Sequence, residues 1–210
     1  MGIEIPQNKF LILDGAMGTV LQQRGLSPQG RPELLNLTEP ELLDSVYKEY
    51  IAAGSQVIYA NTFGANGLKL AKTGHSVEEV VGAAIAVAKK AAAGTGTLVA
   101  LDVGPLGELL EPMGTLSFER AYDLFREMAE AGAKAGADLI VVETMTDLYE
   151  AKAALLAAKE AAHLPVFVTM SFDAGGRTFT GCTVASMART LEGLGADAIG
   201  PVSYTHLTLP

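Results

Sequence analysis

Two apolar periods alternate along the whole of this 210-residue chain, and that alternation limits its fold more than any other feature. Short, nearly continuous apolar runs at 10–13, 56–60, 98–103, 138–142, 166–170 and, more weakly, 197–199 have the character of strands buried on both faces, as parallel strands are. Between them, apolar residues recur at helical spacing over 41–53, 77–93, 118–135, 148–162 and 184–194. Strand then helix, repeated, predicts an α/β protein with right-handed crossovers, either an open doubly wound sheet or a closed barrel. Punctuation supports the helices. Thr38 with Glu41 and Ser76 with Glu79 have capping-box spacing, and Ser117 precedes the third helix. Gly54, Gly94, Gly136 and Gly195 each follow a helical pattern, where a left-handed residue is cheapest as glycine.

Polar residues favour the barrel. Asp14, Asn61, Asp102, Glu143 and Ser171 each fall at or just beyond the C-terminal end of a predicted strand. Several strands contributing to one rim is how a barrel builds its site, whereas an open sheet concentrates polar groups at one switch point.

Composition narrows the partners. With 15 basic against 24 acidic residues the net charge is −9, which disfavours nucleic acid. A single cysteine excludes an internal disulfide framework and any thiolate-rich metal cluster within one chain, and points to a reducing compartment. The start carries no basic leader, and no run approaches the roughly 20 apolar residues of a bilayer span. A cytoplasmic protein without a membrane partner is expected.

The motifs have unequal weight. DGAMGT at 14–19 lacks the dinucleotide-binding glycine spacing; it is either a ligand-approaching turn or a strand-to-helix turn with Asp14 as cap. Asn61 and Thr62 in YANTFGAN are as common in self-satisfied loops as in binding sites. The glycine- and proline-punctuated stretch at 104–117 is long for a connection and is a candidate pocket wall. Glu143 follows four consecutive apolar residues, so its carboxylate needs a partner. A ligand ammonium, shared with Asp14 across the rim, would supply one, and no Lys or Arg at a neighbouring strand end offers the alternative. Cys182 lies near a predicted helix start, where the helix dipole would lower its thiol pKa, yet a lone cysteine is more often a packing residue. His75, His163 and His206 have no carboxylate or cysteine at a ligand or triad spacing.

Taken in order, DGAMGT, ANTFGAN, DVGPLGELLEPMG, VVETMTD, SFDAGGRTFTG and GADAIG make residues 3–200 resemble the homocysteine S-methyltransferase family, and most closely the N-terminal homocysteine-binding domain of cobalamin-dependent methionine synthases. The resemblance implies a (β/α)8 TIM barrel, here an incomplete one of about six parallel strands over 1–200. It implies transfer of a methyl group to the homocysteine thiolate, giving methionine, with the thiol bound to a zinc held by three cysteines. Residues matching Asp14 and Glu143 take the amino group. Backbone amides near Gly15, Ala16 and Met17 take the carboxylate, and Asn61 and Thr62 line the same pocket. Cobalamin and methyltetrahydrofolate would be carried by further domains; betaine or S-methylmethionine are the alternative donors. The pattern departs from the family at its end. The G-x-N-C and paired-cysteine ligands are absent, Cys182 matches none of them, and 201–210 reads as a non-native tail. An inactive chain lacking its zinc site is therefore expected, with a non-catalytic amino-acid-binding fragment and an aldolase-like barrel as competing readings.

Overall fold

The computed structural model describes residues 10–27 and 30–202. The tail residues 203–210 lie outside them. Five parallel strands, β1 (Val57–Tyr59), β2 (Leu98–Val103), β3 (Leu139–Met145), β4 (Val166–Met170) and β5 (Ala198–Pro201), form one sheet in the order β1-β2-β3-β4-β5. Purely sequential order has no reversal point, so the doubly wound alternative is excluded and the sheet is the wall of a partial (β/α) barrel.

Eight helices are described: α1 (Met17–Gln23), α2 (Leu35–Thr38), α3 (Pro40–Ala52), α4 (Gly67–Leu70), α5 (Val77–Ala92), α6 (Phe118–Ala135), α7 (Leu148–Ala162) and α8 (Val184–Gly193), with a 3-10 turn (Pro32–Leu34) before α2. The five predicted helices are α3, α5, α6, α7 and α8, displaced by at most one residue at either end. Ser76 and Ser117 accept hydrogen bonds from the Glu79 and Arg120 amides, as their spacing predicts. Thr38 does not act as a cap. It closes α2, its hydroxyl turned back to the Leu34 carbonyl at 3.3 Å, while α3 starts at Pro40 without a side-chain cap. Gly54, Gly94, Gly136 and Gly195 all have left-handed φ.

Alternation along the strands sorts the core into two layers. Ile58, Val99, Leu101, Ile140, Val142, Val166 and Val168 face outward against helix residues such as Val80, Ala84, Leu124, Met128 and Leu155. Val57, Ala100, Leu139, Val141 and Phe167 pack together on the inner face, a cluster built entirely from strands. Small Ala-rich helix faces let α5, α6 and α7 lie close over the sheet.

The first predicted strand is reduced to one bridge. Leu13 pairs with Val57, and Gln56 donates to the Ile12 carbonyl at 2.7 Å. The segment runs along the outer edge of β1, where Phe10 and Ile12 remain exposed and only one side is hydrogen-bonded, so a regular ladder does not develop. Among the described residues no helix is long and apolar enough to cross a membrane.

Candidate functional site

The inner face of the sheet sets which side chains meet at its C-terminal end. Leu98 and Ala100 precede Asp102 on that face of β2, and Leu139 and Val141 precede Glu143 on β3. Asp102 is in register with Val141, so Glu143 lies two residues further along the neighbouring strand, one layer above it. A bulge follows, between Val142 and Met145, and within it Thr144 has φ 63°. A β-branched residue held there is strained by roughly 1–3 kcal/mol, a cost tolerated where a side chain must be re-aimed. The strain sits directly after Glu143.

Asp14 reaches the same place from the edge. Its amide donates to the Val57 carbonyl at 3.0 Å, and its Oδ2 accepts from the Tyr59 amide at 2.9 Å. It is therefore not the cap of α1, which starts at Met17 after Ala16 with no capping side chain. Gly15 and Ala16 are exposed and Met17 is half-buried. A β-carbon on Gly15 would approach the Tyr50 ring to 3.1 Å, so this turn is held close to α3 by having no side chain.

Three carboxyls thus share one space. Burial, opposed by the Tyr59 amide and reinforced by the charge of Glu143, pushes the Asp14 carboxyl up to about 7. Burial first, and then the charges of Glu143, Asp14 and Glu33, hold Asp102 well above the usual carboxylate range. Burial also raises Glu143. The same environment pushes the phenols of Tyr47 and Tyr59 upward. Oδ1 of Asp14 and Oδ1 of Asp102 are buried without a hydrogen-bond partner.

No cation answers them among the described residues. The contrast with the opposite end of the sheet is informative: Asp138, before β3, is paired with Lys89 at 2.7 Å and caps the Val99 amide, and Asp197, before β5, is paired with Lys159 at 3.0 Å and caps the Val166 amide. Acids at strand starts are neutralised by the protein; those at strand ends have no such cation among the described residues.

Asn61 and Thr62 are both buried beneath this space with their donors engaged. Asn61 Nδ2 donates to the Pro32 carbonyl at 2.6 Å, and its amide donates to Tyr47 Oη at 2.8 Å. Thr62 Oγ1 lies 2.7 Å from the Asp102 carbonyl and accepts from the Asp102 amide at 3.0 Å, pinning the end of β2. Ser171 follows β4 directly, its amide donating to the Met145 carbonyl.

The loop after β2 has its own clamp, which the sequence did not reveal. Glu150, buried in the first turn of α7, accepts from the Leu106 amide at 2.7 Å, and Lys69 donates to the Pro105 carbonyl at 2.9 Å. Burial lifts Glu150 to about 7 and lowers Lys69. Further along, Leu110 and Met113 of this loop wall an open cleft of about 690 Å³ shared with Asp147, Tyr149 and Cys182. None of the three acids lines that cleft. Cys182 departs from the expected depressed pKa: burial pushes its thiol up.

A zinc site does not fit these residues. Among the described residues no three His, Cys, Asp or Glu side chains are gathered so as to hold a metal ion, and the chain's one cysteine has its Sγ against the Thr183 carbonyl.

Residues 11–201 match the family model for homocysteine S-methyltransferase. The methionine synthases of Mycobacterium tuberculosis and Mycobacterium leprae are each 30% identical over 218 aligned residues, covering 94% of this chain and 18% of theirs. The chain thus spans less than a fifth of the curated relatives it matches. Among solved structures, the metallated form of the homocysteine methyltransferase MmuM from Escherichia coli superposes with a TM-score of 0.81 at 25% identity, over 92% of this chain and 75% of that one. Its apo form, at 24% identity and a TM-score of 0.71, shares the fold. On the match of its sequence from the first bridge to the last strand, the chain belongs to the homocysteine S-methyltransferase family.

Proposed function

We propose that this chain is the homocysteine-binding part of a methyltransferase that makes methionine. The observation that carries the reading is the set of buried strand-end carboxyls without a protein cation. An α-ammonium between Asp14 and Glu143 would satisfy both, and the amides of Gly15, Ala16 and Met17, which follow Asp14 in the chain where α1 starts without a side-chain cap, would receive the α-carboxylate. Asn61 and Thr62 serve as the floor that fixes this geometry rather than as ligand donors.

In the reaction the homocysteine sulfur, as thiolate, forms a bond to the methyl carbon while the donor's bond to that carbon breaks and keeps its electron pair. A free thiol with a pKa of about 8.5 is only a few per cent ionised near neutrality, so thiolate formation must be assisted. Zinc is the assistance that the family resemblance implies. The described residues do not supply its ligands. We assign the methyl donor, methylcobalamin replenished from methyltetrahydrofolate, to protein outside this chain; the likeness to methionine synthases supports that choice over betaine or S-methylmethionine. The acidic charge and single cysteine support a cytoplasmic setting without nucleic-acid or membrane partners.

The test is calorimetry of the 210-residue chain with L-homocysteine and L-methionine, with and without zinc. Both amino acids should bind without metal, and Glu143→Gln should abolish the signal. Binding that survives loss of both Asp14 and Glu143 carboxylates would refute the assignment.

A further inference from the structure

We infer that Asp102 is a third member of the ammonium-binding pocket, and that the pocket gives up a proton when the ammonium arrives. This rests on the proposed amino-acid site and deepens it. Asp102 is 7% exposed, its Oδ1 has no partner, and Thr62 pins its backbone through both the amide and the carbonyl. It stands one layer below Glu143 on the same inner face. The groups that face it are Glu143 on β3, Asp14 beside β1, Glu33 in the 3-10 turn, and the phenols of Tyr47 on α3 and Tyr59 on β1. Not one of these is a cation.

A primary ammonium has three N–H donors; two buried acceptors here, Asp14 Oδ1 and Asp102 Oδ1, lack partners, and the half-buried Glu143 carboxylate stands one layer above Asp102. Ammonium hydrogen bonds are about 2.8 Å long against about 2.0 Å for zinc–oxygen bonds, so an ammonium asks less close convergence of these acids than a metal would. Charge balance limits how many of these acids can be ionised together. Three carboxylates around one positive charge would leave a net charge of −2 in a buried site, which is unfavourable. The acids therefore titrate as a unit, Asp102 staying neutral and accepting through its carbonyl oxygen. The proton held over Asp14 and Glu143 leaves when the ammonium binds.

Calorimetric titration of the chain with L-homocysteine, in buffers of different ionisation enthalpy near pH 7, reads both parts. The native chain should release roughly half to one proton per ligand. Asp102→Leu should weaken binding at least about tenfold while the melting temperature stays level or rises, because an unpartnered buried acid has been removed. Asp102→Asn, which keeps an acceptor oxygen without charge, should restore binding to within about threefold of native. Native-like binding by Asp102→Leu, or binding to the native chain without proton release, overturns the inference. The proton count needs no variant and alone can overturn the proton-release half of the inference; should Asp102→Leu not fold, Asp102→Ala, which also removes both acceptor oxygens, replaces it with the same expected loss of binding. Failure of the native chain to bind homocysteine at all would instead refute the proposed site itself.

Discussion

At the scale of single residues, the site carries a stability cost that depends on pH. A carboxyl whose folded pKa lies above its unfolded value is better tolerated folded when protonated. The penalty is absent below the unfolded value near 4, grows as pH rises, and is complete above the folded value. For Asp14 and Glu150, each pushed to about 7, that window runs from about 4 to about 7. Thermal unfolding should therefore show the ligand-free chain less stable at pH 8 than at pH 5.5. Asp14→Asn should be the more stable protein at pH 8, by about 1–3 kcal/mol, and should flatten the slope. A slope of the opposite sign would mean that a cation lies against these acids. Asp14 and Glu143 were legible in the sequence because each follows an apolar run, so a charge had to emerge at a strand end. Asp102 was visible as a strand-end residue, but nothing local showed that its side chain lacks a partner, since that depends on Glu143 and Asp14 from other strands. Glu150 was hidden for a different reason: an acid in the first turn of a helix has an ordinary explanation in the helix dipole, and its bond to Leu106 spans 44 positions.

At the scale of elements, local chemistry decided most boundaries and tertiary context decided the rest. Ser76 and Ser117 cap long helices with large apolar faces, and Ser→Ala at either should cost about 1 kcal/mol in denaturant unfolding. Thr38→Ala should change stability by less than about 0.5 kcal/mol, because its hydroxyl only returns to the Leu34 carbonyl within α2. A Thr38 effect equal to that of the two serines would restore it as a cap. The capping-box spacing fails here for a clear reason: 35–38 forms its own turn of helix, using Thr38 as its last residue, and Pro40 then starts α3 where a missing amide is harmless. Tertiary context also cuts the first predicted strand short. Its apolar run is real, but a strand buried on both faces needs neighbours on both sides, and this one has β1 alone.

At the scale of the whole molecule, the same edge has a consequence in solution. Among the described residues the sheet is open, with the 10–13 segment along one side and β5 on the other, and each side presents apolar residues: Phe10 is 92% exposed, Ile12 53% and Ile199 37%. Such edges are templates for pairing with a second chain. Opposing them is the net charge of −9, which repels like molecules over the Debye length, about 30 Å at 0.01 M salt but only about 3 Å at 1 M. The balance should tip with salt. Light scattering behind size exclusion should find the chain largely monomeric at low ionic strength, and associating as salt is raised into the range of several hundred millimolar. Ile12→Lys together with Ile199→Lys should suppress that association without disturbing homocysteine binding, since neither side chain belongs to the acid pocket. An apparent mass that falls as salt is raised would mean that association is driven by charge pairs, and that the apolar edges of the sheet are not what brings the molecules together.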